Sequence, residues 1–532
     1  MYKRIAIAFF TLMLVFAVLI INISSIMLNK QISTSSYYDN SRSIALDTSR
    51  GMFYDRNMKK LVNSQSEQIT VCLPTTDALK SVSPYLTEEN QKKLYENMRD
   101  YKVSILKTEN AFNETSVKST RITRRYSINQ PCVHIVGHLD ENGNGANALE
   151  RAYDNYLSMN NGELRAKWNV DAQGHILLGN GIDFESDNYL SPAGIQLTID
   201  LEIQRIAENL LLQNEINRGA IVIINGDTSE ILACASVPEF NPLNLGEALN
   251  NENSPFINRG FTPYSIGSVF KPIVAIAALE SNIEIQHNCT GSIEIGDTVF
   301  SCSNNTAHGI VDLKSAMEQS CNTYFIALGQ MVGNEKILSI CSALGIDKEL
   351  EIADDFFVKS GTLPQKSTVN SPAALANISF GQGELLASPI HMAVAYASIV
   401  NGGYYREPII VKGIIDKNGN TIQHAEINDG YKIFNSDTST KISSILRSVV
   451  TNGNGYRANS QIVDTYGKTA TAQSGWFEND REINHTWFCG YFNINNINYV
   501  AVVFKEDGIS GAVDCAPIFK ELSEKIYYEK VL

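Results

Sequence analysis

The chain has 532 residues, 44% of them apolar and 19% charged, with a formal net charge of -14. That length exceeds one compact core and points to two or more domains, and the apolar share points to globular structure and away from disorder. An acidic chain with no long basic run and no paired zinc-finger spacing argues against nucleic-acid binding.

At the N-terminus, Tyr2, Lys3 and Arg4 precede an uncharged apolar run from Ile5 to Leu28, interrupted only by Thr11, Asn22, Ser24 and Ser25. About 20 apolar residues span a bilayer as a helix. Residues 5–28 are therefore expected to be a transmembrane helix, with residues 1–4 as a cytoplasmic tail, because a basic pair is retained inside. The rest of the chain then lies outside the cytoplasm after a single pass. A cleaved signal peptide fits less well, since its apolar region is usually only ~7–15 residues and no Ala-x-Ala site follows.

Residues 29–190 are polar, with strand-like and helical patches; residues 85–100 read as a surface helix. Ser191-Pro192 marks a boundary, and residues 191–532 form the next domain. There Ile195 to Asp200 alternates and Leu201 to Leu211 has helical periodicity. Two apolar runs around Gly226-Asp227 predict a hairpin over 219–236. A mostly helical middle follows, then strand-like runs at Lys468–Gln473, His485–Asn493 and Ile497–Lys505, and a closing helix over 514–531. Strands at both ends of a domain with helices between them predict an α+β fold, one antiparallel sheet covered by helices with an all-helical subdomain.

Three short motifs carry the chemistry. In Ser268-Val269-Phe270-Lys271, expected at the start of an apolar helix running to Leu279, residues three apart share a face. A lysine so placed can take the proton of a serine, which is a weak nucleophile until a base acts on it. Burial lowers a lysine's pKa and suits it to that role. The helix start also offers backbone N–H groups to an oxyanion. Ser320-Cys321-Asn322 follows a helical run from Asp312 to Gln319, so a hydroxyl and an amide two apart can face one cleft. Gly467-Lys468-Thr469-Ala470-Thr471-Ala472 reads as a strand of small residues against which a substrate backbone can lie, with Lys468, Thr469 and Thr471 binding a carboxylate. Each motif alone is a chance match; the order and spacing of the three are not.

With these motifs the chain resembles class B penicillin-binding proteins, the peptidoglycan D,D-transpeptidases, of the elongation/sporulation-like subgroup; the family carries Ser-x-x-Lys, Ser-x-Asn and Lys-Thr-Gly. Residues 50–57, 134–157, Leu197-Thr198-Ile199-Asp200 with Gln204, Asn258-Arg259, Gly381-Gln382-Gly383, Ser388-Pro389 and the strand with Trp487, Gly490 and Tyr491 resemble further landmarks. The resemblance implies that residues 29–190 are a pedestal domain and 191–532 a transpeptidase domain. It implies that Ser268 attacks the carbonyl between the two D-alanines of a stem pentapeptide and that Lys271 is its base. Ser320 and Asn322 then relay the proton and orient Lys271, while Lys468, Thr469 and Thr471 hold the terminal carboxylate. The N–H groups of Ser268 and Thr471 form the oxyanion hole. An acceptor stem peptide resolves the acyl-enzyme, β-lactams acylate the same serine, and a polytopic membrane glycosyltransferase is the partner. Two departures stand out: Ala470 replaces a glycine, adding a methyl that either narrows the cleft or points away from it, and Ile266 replaces a common proline. Rival readings are a carboxypeptidase or β-lactamase-type hydrolase, disfavoured by the long pedestal, and an inactive scaffold that regulates the glycosyltransferase.

No cofactor is required by this chemistry. Among nine cysteines, Cys289, Cys302 and Cys321 cluster with His308 between and within the first two motifs. Three readings stay open. The donor set fits a closed tetrahedral zinc site, and some elongation-type relatives bear a metal near this position. Sporulation-type relatives suggest a disulfide between Cys302 and Cys321. The third is unpaired buried thiols. Cys72, Cys132, Cys234, Cys341, Cys489 and Cys515 read as singly buried small apolar groups. The histidines give no Ser-His-Asp arrangement, and His134, His138 and His485 read as structural.

Overall fold

The structure, a computed structural model, describes residues 2–28 and 41–531 except positions 178, 180, 366, 427 and 479. Residues 29–40, where the sequence places the start of the pedestal, lie outside the described residues. Packing divides the chain into two units. One comprises Met1–Asp47, Glu67–Ile122 and Glu163–Asp187; the other comprises Thr48–Ser66, Thr123–Gly162 and Asn188–Leu532. Both units thus draw residues from the 29–190 stretch.

The first unit begins with helix α1 (Tyr2–Leu28), whose described apolar side chains are exposed. Its Ala6–Ser24 segment is long and apolar enough to cross a membrane. A four-stranded sheet follows, in the order Ser104–Lys107, Gln65–Cys72, Val117–Arg124, Asn113–Glu114. The surface helix expected over 85–100 spans Glu88–Arg99. It starts later because Thr87 caps it, its hydroxyl accepting the Asn90 N–H at 3.4 Å, while Ser83–Tyr85 makes a separate 3-10 turn.

The second unit is built on a five-stranded antiparallel sheet: β1 (Gly219–Asn225), β2 (Ile231–Val237), β3 (Thr465–Glu478), β4 (Arg481–Ile494) and β5 (Ile497–Lys505), in the order β2-β1-β5-β4-β3. Among its helices are α2 (Leu201–Gln213), α3 (Lys271–Leu279), α4 (Leu313–Glu318), α5 (Asn322–Val332), α6 (Pro389–Val400), α7 (Ser436–Asn452) and α8 (Gly511–Val531). Alternate strand residues point to opposite faces, and here both faces are buried. Ile221, Val503 and Phe488 pack with Leu210 of α2 and Phe519 of α8. Val222, Val502 and Trp487 pack into a second core with the helices on the other side. That is why α3 and α6 are apolar around nearly their whole circumference: every residue of α3 from Lys271 to Ala278 is buried, as is α6 from Pro389 to Ile399.

Of three expectations, one holds and two are refined. The 219–236 hairpin pairs Gly219 with Val237 as expected. The strand predicted at Lys468–Gln473 is longer, because pairing with β4 continues out to Glu478 opposite Arg481. The alternation from Ile195 is not an inside–outside pattern. Gly194–Leu197 is wholly buried, lying between the parallel strand Met52–Tyr54 and the antiparallel Val411–Ile415.

Candidate active site

The nucleophile candidate is held by a turn packed against a glycine, Gly381. The expected helix from Val269 to Leu279 is in fact a 3-10 helix, Gly267–Phe270, running into α3. Gly267 has φ +61° and donates its N–H to the Gly381 carbonyl at 2.9 Å. A side chain at Gly381 (φ +87°) would collide with the Gly267 carbonyl, and one at Gly267 would lie 3.0 Å from the Ala472 methyl of β3. Two backbone segments and a strand edge therefore meet without side chains between them, and this close approach carries Ser268 to the strand. Ser268 is half-buried, whereas Val269 and Phe270, which follow it in the turn, are buried. The Tyr396 hydroxyl, from α6, donates to the Val269 carbonyl at 3.0 Å and fixes the turn from below.

Lys271 sits one 3-10 turn beyond Ser268 and is fully buried. Its Nζ donates to the Ser320 carbonyl at 2.7 Å, to Ser320 Oγ at 3.1 Å and to Asn322 Oδ1 at 2.7 Å. Ser320 can offer both oxygens because it lies between α4 and α5 in the left-handed region, with φ +55°. Asn322 is oriented in turn by its amide, which donates to the Ser301 carbonyl at 2.9 Å. Burial pushes the Lys271 amine down to about 7, against the opposing pull of Cys321 and Cys302.

Lys468, also fully buried, donates to Ser320 Oγ at 3.0 Å and to the Thr469 carbonyl at 3.1 Å. Burial and then the charge of Lys271 hold its pKa well below the usual lysine value. One hydroxyl thus lies between two amines, and all three motifs meet there. Thr469 is buried at 7% and Thr471 is exposed on the strand. The Ala470 methyl is buried at 3% in the core that holds Trp487, so its added volume goes into the packed interior.

The sulfur cluster also assembles. Cys289 and Cys302 sulfurs are 3.7 Å apart, Cys302 and Cys321 sulfurs 3.8 Å, and Cys289 Sγ lies 3.3 Å from His308 Nδ1. The four donor atoms all lie within 4.8 Å of one another. Zinc–sulfur bonds of about 2.3 Å in a tetrahedron put sulfurs about 3.8 Å apart, so donor type, spacing and the burial of the three cysteines fit that ion. All nine cysteines are buried and free. Cys302 and Cys321 share a hydrogen bond, which lowers the Cys302 pKa, and the same bond with burial raises that of Cys321.

His134, His138 and His485 lie in packing positions. His134 Nε2 meets the Pro255 carbonyl at 2.6 Å, and burial pushes the ring down to about 4. His138 is edge-on to Phe240, and His485 lies between the Tyr264 and Phe504 rings. Sequence reasoning missed Glu506, which accepts from Arg259 Nε and from the Tyr264 hydroxyl, both at 2.8 Å, near the strand leading to the Ser268 turn. It also missed Thr323, whose hydroxyl lies 3.3 Å from Cys321 Sγ and 3.2 Å from His287 Nε2. The Glu506 partners and His287 are distant in sequence, and the closeness of Thr323 to Cys321 matches no motif spacing.

The model for the penicillin binding protein transpeptidase domain matches residues 219–524, more than half of the chain. Stage V sporulation protein D of Bacillus subtilis is 27% identical over 90% of this chain and 78% of its own. The peptidoglycan D,D-transpeptidase MrdA of Salmonella typhimurium is 22% identical over 99% of this chain and 96% of its own. A solved structure described as a peptidoglycan synthase complex coordinating polymerization and crosslinking has a chain alike in fold, with a TM-score of 0.69 at 22% identity over 98% of both chains. With its three motifs meeting at one hydroxyl, the chain belongs to the penicillin-binding-protein transpeptidase family, among the class B members.

Proposed function

We propose that this protein cross-links peptidoglycan as a serine D,D-transpeptidase, with Ser268 as nucleophile and Lys271 as base. The observation that carries the reading is the sharing of Ser320 Oγ by the Lys271 and Lys468 amines, at 3.1 and 3.0 Å. Ser268 Oγ attacks the carbonyl between the two D-alanines of a stem pentapeptide, and its proton passes to Lys271. The tetrahedral oxyanion is held by the N–H groups of Ser268 and Thr471. Collapse expels the terminal D-alanine, whose amine takes a proton through Ser320, reset by Lys271 and Lys468. Lys468, Thr469 and Thr471 hold the terminal carboxylate. An amine of an acceptor stem peptide then resolves the ester, and β-lactams acylate the same serine. Preorganised donors and a desolvated base account for the acceleration without reorganisation during reaction.

The test supplies the detergent-solubilised protein with a pentapeptide-bearing strand and an amine acceptor. One D-alanine should be released for each new amide, and none with Ser268→Ala. Release of D-alanine with water as the sole acceptor would point to a hydrolase, and no release to an inactive scaffold.

Cys289, Cys302, His308 and Cys321 are the residues that would hold a structural zinc, which supplies a redox-inert cross-link when bound. The purified chain should contain about one zinc, removable by chelator with loss of thermal stability; Cys302→Ser should lower that content, and metal-free protein with a Cys302–Cys321 disulfide would contradict the assignment. The apolar helix α1, with Lys3 and Arg4 at its start, supports single-pass anchoring with the catalytic unit outside the cytoplasm, and the likeness to a chain of a peptidoglycan synthase complex supports contact with a polytopic glycosyltransferase.

A further inference from the structure

Helix α8 begins against the strand that the proposed function assigns to the substrate. Its first residue, Gly511, donates its N–H to Thr471 Oγ1 at 3.3 Å. The amides of a helix's first turn have no partner within the helix; this one is spent on a hydroxyl of the neighbouring strand. The helix start is itself fixed. Ser510 Oγ accepts from the Val513 N–H at 3.3 Å, and Asp514 Oδ2 accepts from the Ile509 and Ser510 N–H groups at 2.7 and 2.9 Å. Lys505 Nζ meets the other Asp514 oxygen at 2.9 Å, offsetting the carboxylate's charge at the helix end.

Position 511 also sets the distance. A side chain there would collide with the Ala470 and Trp487 carbonyl oxygens and would lie 2.9 Å from the Ala470 nitrogen. Only a glycine lets the helix approach β3 closely enough for its amide to reach Thr471.

A threonine hydroxyl has one donor and two acceptor positions. With a backbone N–H occupying one acceptor position, the rotor is restrained and its proton is left to donate outward. The partial positive charge at a helix N-terminus further polarises that O–H towards an anion. We propose that Gly511 is a positioning residue for substrate binding, its N–H aiming the Thr471 hydroxyl at the terminal carboxylate of the stem peptide. This rests on the reading of Thr471 as a carboxylate-binding residue.

The experiment compares two probes on the detergent-solubilised full chain: an N-acylated D-alanyl-D-alanine peptide and the same peptide ending in a carboxamide. Release of D-alanine and of D-alaninamide gives a ratio of kcat/KM values. Gly511→Ala should lower the carboxylate rate roughly tenfold more than the carboxamide rate, the loss expected for a hydrogen bond to a charged group. In a Thr471→Val background the same substitution should not lower the ratio further. Equal loss of both rates, or an unchanged ratio, would overturn the proposal. If Gly511→Ala does not fold, Ser510→Ala takes its place: it loosens the helix start and should lower the ratio in the same direction, and an unchanged ratio in that folded variant overturns the proposal equally. A Thr471→Val enzyme that keeps the full preference for the carboxylate would instead refute the assignment of Thr471 on which the inference rests.

Discussion

Lys271 has three acceptors within 3.1 Å, matching the three donors of an ammonium group, yet its burial brings its pKa to about 7. The base is the neutral amine, whose fraction rises with pH. Acylation by a fluorescent penicillin should therefore fall about tenfold per pH unit below about pH 7 and level off above it; a flat profile from about pH 5 to about pH 8 would contradict the assignment. Burial of the Ala470 methyl leaves the open side of the strand unobstructed and favours retained activity over a scaffold role. At this scale the sequence was most legible. Ser268, Lys271, Ser320, Asn322 and Lys468 announce themselves by type and spacing, and the structure brings the last four into hydrogen-bond reach. Glu506 and Gly511 do not, because nothing near them in the chain hints at their partners, and Thr323, though two residues from Cys321, carries no spacing signal of its own.

Among the elements, the turn bearing Ser268 depends on backbone packing that apolar periodicity does not encode. The run from Val269 to Leu279 reads as one helix, but its first turn is 3-10, and Gly381 presses against it from more than a hundred residues away. Gly381→Ala should displace the turn and lower penicillin acylation about a hundredfold, since small misplacements of reacting groups cost that much. Circular dichroism of the variant should remain native, and an unchanged acylation rate would show that the turn tolerates the added methyl. The β1–β2 hairpin was legible from apolar runs around a turn, β4 and β5 as strand-like runs, and α8 as a helix with an amphipathic pattern. The extra length of β3 was not, because it comes from pairing with β4 and not from its own composition. The sulfur cluster is the other element-level device. It brings the segment around Cys289, the turn at Cys302 and His308 beside Cys321, which stands between the two residues that hold Lys271.

Across the whole molecule, long-range convergence decides the function. Residues 268–271, 320–322 and 468–471 come from a helix start, an interhelical turn and a sheet edge, and two lysines from different segments meet one serine hydroxyl. Motif order implied that meeting without showing it. Neither could composition reveal that Thr48–Ser66 and Thr123–Gly162 fold with the C-terminal unit, because the pairing of Met52–Tyr54 with Gly194–Leu197 spans about 140 residues with no local trace. The N-terminal helix, by contrast, is a property of one continuous segment and was legible outright. The most direct test of the convergence is peptide mapping by mass spectrometry after exposure of the full chain to benzylpenicillin. The account predicts a single penicilloyl adduct on the peptide containing Ser268, absent from Ser268→Ala. An adduct elsewhere, or none on folded protein, would contradict it.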